Sequence, residues 1–513
     1  MQYIIKYLLI TILLFIVFET ACEKQVDPEQ VVVARVGDEV ITVRDFRRSY
    51  EFGFSHLKNG PDRKRSYLDY MIKEKVLSQD GYKLGLDKNE RVKKLEKQLQ
   101  DELLIEQLFI SQVNSKIEIT PDQIRDTINK TKVSWKLRYW VEPTIEYANR
   151  VAQAMRARGY SDVVDEILGS NPETSLEAKD FETDYLSYFD VTEEFLETIK
   201  DLPVGEISDP IEQNGVYFIY QIVDVRRNPV VDNEYVDQYE KYRQILYYRQ
   251  LKNEAIKYVS AFMTPKNVTT KGTAFRLFVD ALSEWMKENP ANESFAQAIE
   301  NASDENSAIK KLRDNFKQTL VAFEGGNWTV KDFLEKFDPK TIKTDKKENN
   351  TIKSQLNEKI ALAVRDEFLV KEAKSKGLAK SPEVKRELKE WRDKWVYKET
   401  RKHYARDVNV DDEQIKEYFE TYKDRYKIRW SDEPTLEEFK NQAKRDAAIR
   451  LVKARLNHKV DSLSVYSPIE INQAVLDSIT IIEFDKSRWA TMQVYKNSSK
   501  RMAAPIVDPA WGF

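Results

Sequence analysis

The stretch VARVGDEVITVRDF, Val33 to Phe46, returns in slightly shortened form as VAFEGGNWTVKDF, Val321 to Phe333. A chain that spells the same local grammar twice is under pressure to build the same unit twice. Each copy opens with apolar and β-branched residues that read as a short strand, and a glycine-containing turn comes next. Thr42 then stands where a helix N-cap belongs, with Asp45 in the first turn, and Thr329 and Asp332 repeat that spacing. A capping hydroxyl satisfies free backbone donors, and an acid suits the positive end of the helix dipole.

The residues downstream of each copy recur as well. IKEKVLSQDGYKLGLDKNERVKK, Ile72 to Lys94, aligns without a gap on VRDEFLVKEAKSKGLAKSPEVKR, Val364 to Arg386. Leu77, Gly85, Leu86, Lys88, Val92 and Lys93 match Leu369, Gly377, Leu378, Lys380, Val384 and Lys385. IEITPDQI, Ile117 to Ile124, then meets VNVDDEQI, Val408 to Ile415. Three blocks in the same order predict an internal repeat of a mostly helical module.

The amino terminus reads as an export signal. Lys6 is its only base, and the apolar run from Tyr7 to Phe18 falls short of the roughly 20 residues that span a bilayer. It ends in FETAC, whose Cys22 is the only cysteine in the chain. That placement predicts a bacterial lipoprotein processing site with Cys22 lipidated, although Glu19 stands where an apolar residue is usual. A single cysteine excludes an internal disulfide, CxxC chemistry and cysteine-based metal sites. With 86 acids against 83 bases, no basic excess argues for nucleic acid. Charged residues at 33% with helical spacing predict salt-bridged, solvated helix faces around modest cores.

The expected organisation is a signal peptide (1–21), a lipidated tether (22–30), a first helical module (31–132), an inserted domain (133–228) and a returning helix (229–264). A helical connector (265–318), a second module (319–430), its returning helix (431–468) and a C-terminal extension (469–513) complete it. In the extension, SITIIEF and WATMQVY are candidate strands, and the tail AAPIVDPAWGF is either docked or loose. Only the first module carries an insert, because the helix capped at Asp411 passes almost directly to the one capped at Thr435.

VARVGDEVITVRDF resembles the start of the SurA/PrsA class of exported parvulin-type peptidyl-prolyl isomerases and chaperones. GEISDPIEQNGVYFIYQIVDVR, Gly205 to Arg226, looks like the end of a parvulin domain, and YLSYF, Tyr185 to Phe189, sits where the family has a Leu-Gly-Trp-Phe element. The implied fold class is α+β: two mostly helical SurA-like modules with one inserted parvulin-like domain, an antiparallel sheet flanked by helices. The departures matter. A parvulin usually has a histidine in its first strand and another after the late glycine. Here Tyr139 and Tyr217 occupy those positions, and the chain's three histidines, His56, His403 and His458, lie elsewhere.

Rotation about an X-Pro bond has a barrier near 20 kcal/mol. An isomerase lowers it by holding the proline in an apolar pocket and stabilising the twisted amide. The resemblance makes Tyr139 and Tyr217 the candidate catalytic positions and Leu186, Phe189 and Phe195 the candidate substrate-binding ones; core packing is the competing reading for all five. There is no P-loop, GxGxxG, HExxH or serine elbow, so no nucleotide, metal or other cofactor is expected. The expected function is an ATP-independent, lipid-anchored folding factor of the bacterial cell envelope, on the periplasmic side and at the outer membrane. Its partners would be unfolded exported or outer-membrane polypeptides, and its parvulin domain would be weak or inactive. The alternatives are a working prolyl isomerase and a structural subunit of an envelope assembly machine. The tyrosine-rich segment Tyr235 to Gln250 is either a client surface or packing for its own module.

Overall fold

The computed structural model describes residues 27–170, 175–213, 215–287, 293–342, 349–427, 433–481 and 504–512. Cys22, the export signal and the WATMQVY segment lie outside these residues. Among the described residues no helix is long and apolar enough to cross a membrane. The architecture is α+β and mostly helical, with small antiparallel sheets.

Strands β1 (Val32–Val36) and β2 (Glu39–Thr42) form a hairpin, followed by helices α1 (Val43–Phe52), α2 (Arg63–Lys83) and α3 (Glu90–Gln112). The start of α1 is fixed as its sequence implies. The Asp45 amide donates to Thr42 Oγ1 at 3.2 Å, and the Thr42 amide donates to Asp45 Oδ2 at 3.0 Å. Between α2 and α3 the chain turns at Gly85, whose φ of 71° is left-handed and favours glycine. Helix α4 (Pro121–Lys130) comes next, capped reciprocally by Thr120 and Gln123.

Residues 113–258 form one compact unit. It contains α4, strand β3 (Val133–Glu142), helices α5 (Ile145–Arg158) and α6 (Tyr160–Gly169), strand β4 (Leu186–Ser187), helix α7 (Glu193–Ile199) and strands β5 (Ile211–Gln213) and β6 (Val216–Arg227). The four strands make an antiparallel sheet in the order β4-β3-β6-β5. The long helix α8 (Tyr239–Met263) begins in this unit, where Leu246 packs with Ile124 and Ile128 of α4.

The other unit comprises residues 1–112 and 259–513. After β7 (Thr269–Thr270) come helices α9 (Gly272–Lys287), α10 (Phe295–Asn301) and α11 (Ala308–Asp314). The hairpin β8 (Thr319–Phe323) and β9 (Gly326–Thr329) then leads into α12 (Val330–Leu334), α13 (Asn349–Ser375), α14 (Pro382–Ala405) and α15 (Asp412–Thr421). This series has the element order of residues 32–130. Its Thr329–Asp332 cap closes at 3.3 and 2.8 Å, and Gly377 turns between long helices with a φ of 74°. Helix α16 (Leu436–Ser464) packs Ala443 and Ala447 on Ile415 and Phe419 of α15. Strand β10 (Ile469–Ile471) and helix α17 (Gln473–Ser478) complete the order up to the tail.

The two hairpins exchange their third strands. β10, which comes after α16 of the second series, pairs with β1 of the first. β7, which comes after α8, pairs with β8 of the second. The long helices are exchanged in the same sense, since α2 packs on α14 and α13 on α3. At the α2–α14 contact Lys75 pairs with Asp393 at 2.9 Å and Glu74 with Lys394 at 2.5 Å, and the Tyr404 hydroxyl donates to Asp80 at 2.6 Å. Around the second hairpin, Phe278 and Leu282 of α9 share one core with Leu320, Val330, Phe333 and Ile352. Around the first, the C-terminal tail is docked. Val507 and Trp511 are buried among Phe46, Tyr67 and Leu456, and Trp511 stacks on Tyr70. The SITIIEF segment forms no strand over residues 478–481, and the rest of it lies outside the described residues.

Candidate functional site

The sheet of residues 113–258 sorts its side chains by strand alternation. One face carries Trp140 and Ile219 and is covered by Ala148, Ala152 and Met155 of α5 and by Val163 and Val164 of α6. The other carries Trp135, Leu137, Tyr139, Phe218, Tyr220 and Ile222 and meets Leu196 and Ile199 of α7. The first face leaves Phe181 and Tyr217 half-buried, and the second leaves Tyr139, Phe189, Phe195 and Phe218 so.

On that face four rings run in a connected line. Tyr139 and Phe218 lie 6.3 Å apart between ring centroids, Phe218 stacks on Tyr220 at 5.7 Å, and Phe195 meets Tyr220 edge-on at 4.9 Å. Tyr139 and Tyr220 are direct partners in the β3–β6 register. Burial pushes the Tyr220 phenol up to about 12, so at neutral pH it is a hydrogen-bond donor, directed at Gln213 Oε1 at 3.4 Å. At the rim, Glu182 accepts from Arg138 at 2.8 Å and from Lys136 at 2.5 Å, and these bonds hold its carboxyl below the usual range.

The residues singled out from sequence separate into two groups. Tyr139, Leu186, Phe189 and Phe195 share the α7 face. Tyr217 is on the opposite face, with the cluster around Trp140, so the two tyrosines do not form a facing pair. Leu186 is the register partner of Trp135, and Phe189 is engaged by Tyr188 at 4.9 Å and by Tyr242 of α8 at 5.8 Å. Phe195 stays with the line of rings. Phe218 and Tyr220 join it without having been singled out from sequence. The period of two along VYFIY separates them from Tyr217, a signal that becomes readable once the strand's phase is known.

This arrangement can hold an apolar ring and present a phenolic donor beside it. Residues 113–258 contain neither cysteine nor histidine. Among the described residues no cluster of histidine, cysteine or acids is built to hold a metal.

No protein-family model and no curated protein matches the chain. Solved structures do. One belongs to the pair of structurally related SurA-like chaperones of Campylobacter jejuni, the virulence factor PEB4 and the periplasmic protein Cj1289. It is 14% identical, covers 47% of this chain and 100% of its own, and has a TM-score of 0.22. The chain is similar to SurA-like and PrsA proteins. The PrsA peptidylprolyl isomerase of Bacillus cereus matches at 15% identity over 44% of this chain and 88% of its own, with a TM-score of 0.23. The foldase PrsA of Streptococcus pneumoniae matches at 15% over 42% and 85%, with a TM-score of 0.21.

Proposed function

We propose that the chain is a SurA/PrsA-type folding factor that binds unfolded exported polypeptides without ATP. The observation that carries this reading is the line of rings on one sheet face, with Tyr139, Phe218 and Phe195 half-buried and the buried Tyr220 linking Phe218 to Phe195, in a unit without cysteine or histidine. Such a surface binds apolar and proline side chains through many weak contacts, which effective concentration adds up along a client chain. The family's histidine pair is replaced by Tyr139 and Tyr217, which face opposite ways, so isomerase activity is weak or lost. We read the two element series as one module used twice, on the matched caps at Thr42 and Thr329 and the matched turns at Gly85 and Gly377. We further place the protein in the bacterial cell envelope, anchored through a lipid on Cys22 at the periplasmic side of the outer membrane, on the strength of the FETAC sequence after its apolar run.

Two assays on the full chain test the reading. It should suppress aggregation of an unfolded outer-membrane β-barrel protein without ATP, and Phe195→Ala should weaken that effect. Isomerisation of a short X-Pro peptide should proceed near the buffer rate. A rate far above buffer that drops in Tyr220→Phe would establish a working isomerase instead. Failure to suppress aggregation, with stoichiometric co-purification of one envelope protein, would establish the structural subunit.

A further inference from the structure

Helices α3, α14 and α16 enclose a groove of about 590 Å³, well within the size of small-molecule sites. Its walls are apolar, with Val92 and Leu95 from α3, Trp395 from α14 and Ile449 and Val452 from α16. Its polar lining is unbalanced: four cations, Arg91, Lys398, Arg401 and Lys402, against two carboxylates, Glu399 and Asp508.

The two carboxylates are already engaged. Glu399 holds Lys402 at 2.7 Å and lies 4.0 Å from Arg91. Asp508 holds Arg401 at 3.0 Å and accepts from the Tyr397 hydroxyl at 3.2 Å. Among the described residues Lys398 makes no ion pair. Burial holds its ammonium below the ordinary lysine value, with the charges of Lys394 and, more weakly, Arg91 acting in the same direction against the pull of Asp508 and Glu74. An anion at the mouth would relieve that cost.

The walls also decide what kind of body the anion carries. Most of the wall is the surface of three helices, whose interior backbone groups are satisfied internally. Among the described residues no strand lines the groove, so no strand edge is offered to a peptide main chain. An occupant with an apolar body and an acceptor-only head loses nothing there. We propose that this groove binds a long-chain monocarboxylate, with the acyl chain along Leu95, Trp395 and Ile449 and the carboxylate at Lys398.

Calorimetric titration of the full chain with octanoate, decanoate and dodecanoate, below micelle-forming concentrations, tests this. Affinity should rise by up to about fourfold per methylene as the chain fills the groove. Dodecanoate should bind about tenfold more tightly than dodecanol, and Lys398→Met should erase that difference without moving the thermal melt. Ile449→Glu, on the opposite wall, should abolish binding of both. The proposal is overturned if affinity ignores chain length, if dodecanol binds as well as dodecanoate, or if only apolar peptides occupy the groove.

Discussion

Glu390 of α14 gives the sharpest handle on the contact between the two element series. Its carboxylate is 3.0 Å from Arg44 of α1, with its side chain 21% exposed. Asp45 and Arg48 of α1 and Glu387 on its own helix also act on it. Glu74, Lys75, Asp393 and Lys394 line the same cavity. Burial, and then the negative charge of Asp45, push the carboxyl up from an ordinary 4.5 to about 7, against the pull of Arg48 and Arg44. A carboxyl raised that far corresponds to about 3 kcal/mol at 1.36 kcal/mol per pH unit. The folded chain binds this proton more tightly than the unfolded chain does. Its contribution is therefore fully present below pH 4.5, declines through the interval up to 7 and is gone above it.

Glu390→Gln keeps the shape and an acceptor for Arg44 but never ionises. Urea unfolding of both proteins, monitored by near-UV circular dichroism at pH 4.5, 6, 7 and 8, isolates the group, because every other titration is common to the pair. The variant should match the parent at pH 4.5 and exceed it by up to about 3 kcal/mol at pH 8. A difference that does not change with pH, or a variant that loses stability as pH rises, would refute the assignment of the raised carboxyl to this position.

The packing supports two further perturbations. Gly81 lies in α2 where a Cβ would collide with Thr400 and Val396 of α14, so Gly81→Ala should cost about 1–3 kcal/mol in thermal or urea melts despite alanine's better helix propensity. Thr42→Ala and Thr329→Ala each remove an N-cap hydroxyl from the same kind of box, and each should cost about 1 kcal/mol; a large inequality would count against equivalent local structures.

Short-range chemistry is the part of this fold that the sequence makes legible. The caps at Thr42, Thr120 and Thr329 depend on residues a few positions apart, and they stand where their sequences place them. The strands at either end of residues 133–227 are legible for the same reason, from β-branched and aromatic runs. Their phase is harder. A period of two yields two faces without saying which is covered, and β3 and β6 slip by a bulge between Lys136 and Leu137. The family resemblance groups Tyr217 with Tyr139, whereas the ring that faces Tyr139 across the ladder is Tyr220.

The strand exchange has no local signature at all. β7 is two residues long and β10 is three, below the length at which alternation means anything. Their identity as strands comes from β8 and β1, and the partner of β1 lies near the far end of the chain. The same holds for Phe278 and Trp511, whose apolar faces are unremarkable until Leu320 or Tyr70 is brought to them. Loop closure over such separations grows only logarithmically, by about 0.6 kcal/mol per doubling, so it weighs little on the final stability. It weighs on the order of events, since non-local contacts reward the chain only after that entropy has been spent. Each hairpin can form early on its own turn and cap, and β7 lies close enough in sequence to join β8 soon after, but β1 cannot cover its open edge until β10 is brought from near the far end of the chain.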